Sequence, residues 1–232
     1  MDWIAWNRAR YRAYAPLYDW FVGRFGFMER GRRRALELAA IRPGERVLIV
    51  AAGTGLDLPW LPPEADVTAI DIAPAMLARF KARASALRRQ VRADVMDAAR
   101  LDFPDASFDC VLLHLAIAVV PDPLATIREV ARVLRPGGRV SVFDKFLPDG
   151  AEASAARRAA GALARLIATD LNRQLGPLLD AGGLVLRERE PAGLGGLFIA
   201  ALAEKPHFAS LTVRSARGDR EQVASPRGAR NP

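Results

Sequence analysis

The chain has 232 residues, 51% of them hydrophobic, with a formal net charge of +8. That length supplies the core of one α/β domain with short appendages, and no stretch approaches the roughly 20 consecutive apolar residues that cross a bilayer. The single cysteine, Cys110, excludes an intramolecular disulfide and fits a reducing compartment. The basic balance leaves an anionic membrane, an acidic substrate or plain solubility open, and no nucleic-acid-binding motif is found.

Residues 1–30 read as an N-terminal amphipathic segment, residues 31–205 as the sheet-bearing domain, and the Arg-, Ser- and Gly-rich residues 206–232 as a disordered tail. The first segment lacks the hydrophobic region of a signal peptide. It concentrates Trp3, Trp6, Tyr11, Tyr14, Tyr18 and Trp20, with Arg8, Arg10 and Arg12 among them. Leu17, Trp20, Phe21 and Phe25 fall at i, i+3, i+4 and i+8, one face of a helix. That face either packs on the domain as a lid or lies in a membrane interface, where Trp and Tyr favour the headgroup level and Arg attracts anionic lipid. An amphipathic helix is expected over Arg30–Ile41, with Arg32, Arg33 and Arg34 on its solvated face and Pro43-Gly44 ending it.

Arg46–Gly55, R-V-L-I-V-A-A-G-T-G, is a short buried strand running into small residues and a Gly-x-Gly turn. Read as a strand–turn–helix junction, it brings backbone N–H groups close to an acidic ligand group. Asp66–Asp71 is a second strand that ends in a carboxylate, at the spacing where nucleotide-binding α/β units place an acid for ribose hydroxyls. A helix over Pro74–Arg89 and a strand over Val91–Val95 follow, with Asp94 near the end of that strand. Phe108–Leu115 is the fourth strand, and His114 at its end is either a core histidine or a functional group at the ligand edge. A helix over Pro121–Leu134 and the turn Pro136-Gly137-Gly138 lead to strand five, Arg139–Phe143. Lys145 follows, a rim charge or a cation for a substrate phosphate. Ala151–Asp180 is expected to be mainly helical, with a Thr169–Arg173 patch that turns inward. Leu184–Glu188 and Leu197–Ala203 form a closing hairpin.

Four motifs occur in order over residues 45–145: the Gly turn, D-I-A-P-A-M-L (71–77), F-P-D-A-S-F-D (103–109) and V-L-R-P-G-G-R (133–139). In them the chain resembles the class I S-adenosylmethionine-dependent methyltransferases. The resemblance implies a Rossmann-like α/β fold, a seven-stranded, mostly parallel sheet with helices on both faces and an N-terminal helical lid, and S-adenosyl-L-methionine as cofactor. It places Ala51, Gly53 and Gly55 against the methionine part, Asp71 and Ile72 at the ribose, and Asp94, Val95 and Met76 at the adenine, with His114 nearby. Asp97 and Asp102 compete for the role given to Asp94. Two positions depart from the family: Ile49 stands where an acid is usual, and Ala51 where the first Gly is usual.

Ala15-Pro16-Leu17-Tyr18-Asp19 and Val119-Val120-Pro121-Asp122-Pro123 are similar to the soluble bacterial phosphatidylethanolamine N-methyltransferases, with quinone C-methyltransferases related. The resemblance implies N-methylation of phosphatidylethanolamine or a related aminolipid, at the cytoplasmic surface of an anionic membrane, by a peripherally associated protein. C- or O-methylation of a lipophilic quinone or small metabolite is the alternative, and a non-enzymatic cofactor-binding protein the third reading. An amine of pKa about 10 must lose a proton first, at a cost of about 4 kcal/mol at pH 7. Tyr11, Tyr18 and His114 are the candidate catalytic residues, and Tyr18, Lys145 and Arg173 the candidate substrate contacts. Lys145 occupies a position where the subgroup usually carries His. No metal site is expected.

Overall fold

A computed structural model describes residues 25–155, 157–159, 161 and 169–207. Tyr11, Tyr18, nearly all of the N-terminal segment and the tail beyond residue 207 lie outside the described residues.

Seven strands form one sheet: β1 (Arg46–Val50), β2 (Asp66–Asp71), β3 (Val91–Val95), β4 (Phe108–His114), β5 (Leu134–Lys145), β6 (Val185–Gly193) and β7 (Phe198–Glu204). The strand order is β3-β2-β1-β4-β5-β7-β6. The first five strands are parallel, and β7 runs antiparallel to both β5 and β6. Four helices have bounds among the described residues, α1 (Gly26–Ala39), α2 (Pro74–Ala86), α3 (Pro123–Val133) and α4 (Leu175–Ala181), and residues 155, 157–159 and 161 are helical as well. The mostly parallel, doubly covered sheet expected from the sequence is borne out.

Period-two alternation sorts the strands between two layers. Leu48 and Val50 of β1 face α3 and α4 through Ile127, Val130, Leu175 and Leu178. Val47 and Ile49 face α1 and α2 through Leu36 and Phe80. Strands buried on both sides must read as near-continuous apolar runs, as β1 and β4 do. Pro123 sits in the first turn of α3, whose N-cap Asp122 accepts from the Ala125 N–H at 2.9 Å. Gly31 of α1 lies so close to the sheet that a Cβ there would stand 2.2 Å from the Phe143 ring. Glycine thus sets how deeply α1 packs.

Several expectations need correction. Residues 26–30, assigned to the N-terminal segment, open α1, which packs on the sheet. Arg32 is buried rather than solvated, because it shares the inner face of α1 with Ala35, Leu36 and Ala39. No α-helix follows the Gly turn. Only a 3-10 turn, Leu58–Trp60 with Pro59 inside it, forms before the Pro62-Pro63 pair. Residues 169–174 are not helical, and β6 and β7 are longer than or shifted from their expected bounds.

Candidate functional site at the carboxyl edge

The carboxyl ends of β1, β2, β4 and β5 converge on one edge, where open parallel sheets bind ligands. Beyond β1 the chain turns through Ala51, Gly53 and Gly55 at φ 51°, 56° and 81°. At Gly55 a Cβ would meet the Phe80 ring at 2.9 Å. At Gly53 a Cβ would meet nothing nearer than the Ala51 carbonyl oxygen at 4.0 Å, so the backbone there lies open. Ala51 occupies a left-handed conformation that costs an L-residue roughly 1–2 kcal/mol. Ala51→Gly is therefore expected to raise the melting temperature without weakening cofactor binding; a lower melting temperature would show the turn unstrained.

Asp71 ties this turn to β2. Its Oδ2 accepts from the Gly53 N–H at 2.8 Å and its Oδ1 from the Ala73 N–H at 2.9 Å. Burial pushes the carboxyl above its usual range, and the Ala73, Gly53 and Ile72 amides pull it only part of the way back. A carboxylate has about four lone-pair sites, so with these three amides it still accepts from a hydroxyl donor. Next along the edge is Val95, paired in register with Asp71 and 46% exposed, an apolar wall beside the carboxylate. Asp94 is exposed one residue earlier on β3. Asp97 sits past the strand end, where its Oδ1 accepts from the Ala99 N–H at 2.9 Å. Met76, expected against the adenine, is buried in a small cluster with Ala73, against which Ile72 packs.

His114 lies at the end of β4 in a buried network that the sequence did not reveal. Asp57 receives Arg32 Nη1 on Oδ2 at 2.8 Å, and its Oδ1 is 2.7 Å from His114 Nδ1. His114 Nε2 is 3.0 Å from Ser141 Oγ, which donates to the Ala35 carbonyl at 2.9 Å. Asp57, as a carboxylate, only accepts, so His114 Nδ1 donates to it, while the Nε2–Ser141 hydrogen bond takes either sense with the tautomer. Both ring nitrogens are thus engaged by protein partners inside the fold. Burial alone would push the Asp57 carboxyl up. The charges and hydrogen bonds of Arg32 and His114 outweigh burial and hold it well below its ordinary 3.8.

Lys145 and Arg173 sit differently from each other. Lys145 stands at the same edge, its Nζ 3.6 Å from Asp144 Oδ1 and 5.3 Å above the Phe198 ring. Asp144 is fully buried and accepts from the Ala118 N–H at 2.8 Å, which anchors the loop after β4. Arg173 binds the Ile117 and Val120 carbonyls of that loop, so its guanidinium clamps backbone rather than facing a substrate. Cys110 is buried in β4, and burial pushes its thiol up to about 12, which rules out a thiolate nucleophile. A groove of about 460 Å³ lined by Arg33, Leu36, Trp60 and Pro62 lies between α1 and the 3-10 turn, and none of the expected site residues lines it.

A family profile described as a methyltransferase domain matches residues 48–142. The chain is 33% identical over 184 residues to a phosphatidylethanolamine N-methyltransferase from Cereibacter sphaeroides, a match covering 78% of this chain and 89% of that protein. It is 40% identical over 136 residues to a demethylmenaquinone methyltransferase from Thermus thermophilus, covering 56% of this chain and 61% of that protein. Among solved structures, the YcgJ protein of Bacillus subtilis superposes with a TM-score of 0.66 at 20% identity, covering 76% of this chain and 98% of that one.

Proposed function

Because the chain belongs to the class I S-adenosylmethionine-dependent methyltransferases, we propose that it methylates the amine of phosphatidylethanolamine, or of a related aminolipid, at an anionic membrane surface. What carries the reading is the likeness to the phosphatidylethanolamine enzyme along 89% of that enzyme's length. Methylation of a lipophilic quinone is the second reading, favoured by the higher identity over the shorter match to the demethylmenaquinone enzyme.

The residues present fit the cofactor. Gly53 leaves open backbone, Asp71 offers hydroxyl-accepting lone pairs beside it, and exposed Val95 pairs in register with Asp71. In this reading Ala51, Gly53 and Gly55 hold the methionine part, Asp71 and Ile72 the ribose, and Val95 with Asp94 or Asp97 the adenine. When bound, S-adenosylmethionine supplies an electrophilic methyl group on its sulfonium sulfur. The chain's own task is to position the amine in line and exclude water. His114 is buried with both nitrogens bonded inside the protein, which favours Tyr11 or Tyr18 over it as acceptor of the amine proton. In this reading Lys145, 3.6 Å from Asp144 at the same edge, is the cation for the substrate phosphate.

Lipid extraction from cells expressing the protein tests the reading. New mono-, di- or trimethylated phosphatidylethanolamine is expected. An unchanged phospholipid profile with methylated quinone would replace it by the second reading.

A further inference from the structure

We propose that the tip of the β6–β7 hairpin, Leu194-Gly195-Gly196-Leu197, dips into the lipid surface beside the active-site mouth. The inference rests on the aminolipid reading above and assigns part of its membrane contact to an element outside the N-terminal segment.

Leu194 is 62% exposed, more than any other large apolar side chain among the described residues. It also holds φ 45°, between Gly193 at 152° and Gly195 and Gly196 at 64° and 89°. Glycine or asparagine would occupy that left-handed position more easily and without exposing an apolar side chain. A residue unfavourable on both counts is a mark of function rather than of packing.

The charge pattern of the hairpin changes where the tip begins. Residues 187–190 read Arg-Glu-Arg-Glu, the charged dress of an edge strand. From Pro191 to Ala203 no residue carries a charge. The tip belongs to the ligand edge of the sheet. Phe198 pairs with Lys145 at the end of β5, and the Phe146 N–H donates to the Leu197 carbonyl at 3.2 Å. Phe25, 40% exposed, stands beside it through Phe27, whose ring is 5.9 Å from Phe25 and 5.2 Å from Phe198. Leu194, Phe25 and the Lys145 cation thus border one side of the mouth. The sequence that reaches Phe25 adds Arg8, Arg10, Arg12 and Arg24 against Asp2 and Asp19.

An anionic lipid surface fits this edge better than a second copy does. The chain carries a net +8, which repels its own kind and attracts anionic headgroups. Apolar tips with flanking cations and aromatics partition to the headgroup boundary.

The test is sedimentation of the full chain with vesicles of phosphatidylcholine and phosphatidylglycerol. Leu194→Asn preserves the left-handed backbone and removes the apolar tip, whereas Leu194→Trp enlarges it. We expect Leu194→Asn to lower vesicle partitioning about tenfold and Leu194→Trp to raise it, with the calorimetric affinity for S-adenosylmethionine unchanged and the melting temperature of Leu194→Asn no lower than that of the parent chain. If the parent chain sediments and both variants match it, the tip assignment falls and the membrane reading stands. A fall in melting temperature, or a change in oligomeric mass, with vesicle binding unaltered would assign the tip to the chain's own N-terminal segment or to a second copy. No sedimentation of the parent chain would overturn both.

Discussion

Asp57→Ala is expected to cost about 3–5 kcal/mol of folding stability, because it leaves a buried guanidinium and a buried imidazole donor without their shared carboxylate. The triad ties α1 to the cofactor turn and to the end of β4, so the loss should appear in the denaturation midpoint and in cofactor affinity together. The pH dependence has a definite sign. A carboxyl held below its ordinary 3.8 in the folded state contributes stability that is fully present above that value and drains away as pH falls towards the folded-state value. The gap between the parent chain and Asp57→Ala should therefore be widest near neutrality and narrow below about pH 4. Equal stability of the two proteins at pH 7 would show that the network does no structural work.

Asp71→Asn should carry the second large effect. The carboxylate accepts the Gly53 N–H on Oδ2 and the Ala73 N–H on Oδ1. An amide offers one oxygen and one NH2, so either Gly53 or Ala73 would face a donor. An unsatisfied buried donor costs about 1–3 kcal/mol. The turn that holds the cofactor loses its tie to β2 at the same moment, so calorimetric affinity for S-adenosylmethionine should fall about tenfold or more. Unchanged affinity would remove Asp71 from the cofactor site.

These two acids differ in how far the sequence exposed them. Asp71 follows a short apolar strand at a spacing set by the βαβ unit, and local rules suffice to find it. Asp57 is invisible to such rules, since its partners Arg32 and His114 lie 25 and 57 positions away. A signal was nonetheless present. Arg32 stands three, four and seven residues before Ala35, Leu36 and Ala39, the buried face of α1, and an arginine on that face requires a buried anion. Reading Arg32–Arg34 as one charged run hid this, because a run of three spreads around nearly a full turn. Ile49 and Ala51 were legible as departures, yet their consequence was not. The structure places Ile49 in the core and keeps Ala51 in the left-handed conformation that a Gly would hold without strain. The prolines that limit the turn after Gly55 to one 3-10 segment stood in the sequence, but the strand–turn–helix reading of the Gly turn passed over them.

Transfer of a labelled methyl group from S-adenosylmethionine, with phosphatidylethanolamine and demethylmenaquinone offered in the same anionic vesicles, tests the central claim most directly. Label is predicted in the phosphatidylethanolamine amine, and Asp71→Asn should abolish most of it. Label confined to the quinone, or cofactor binding without transfer to either lipid, would contradict it.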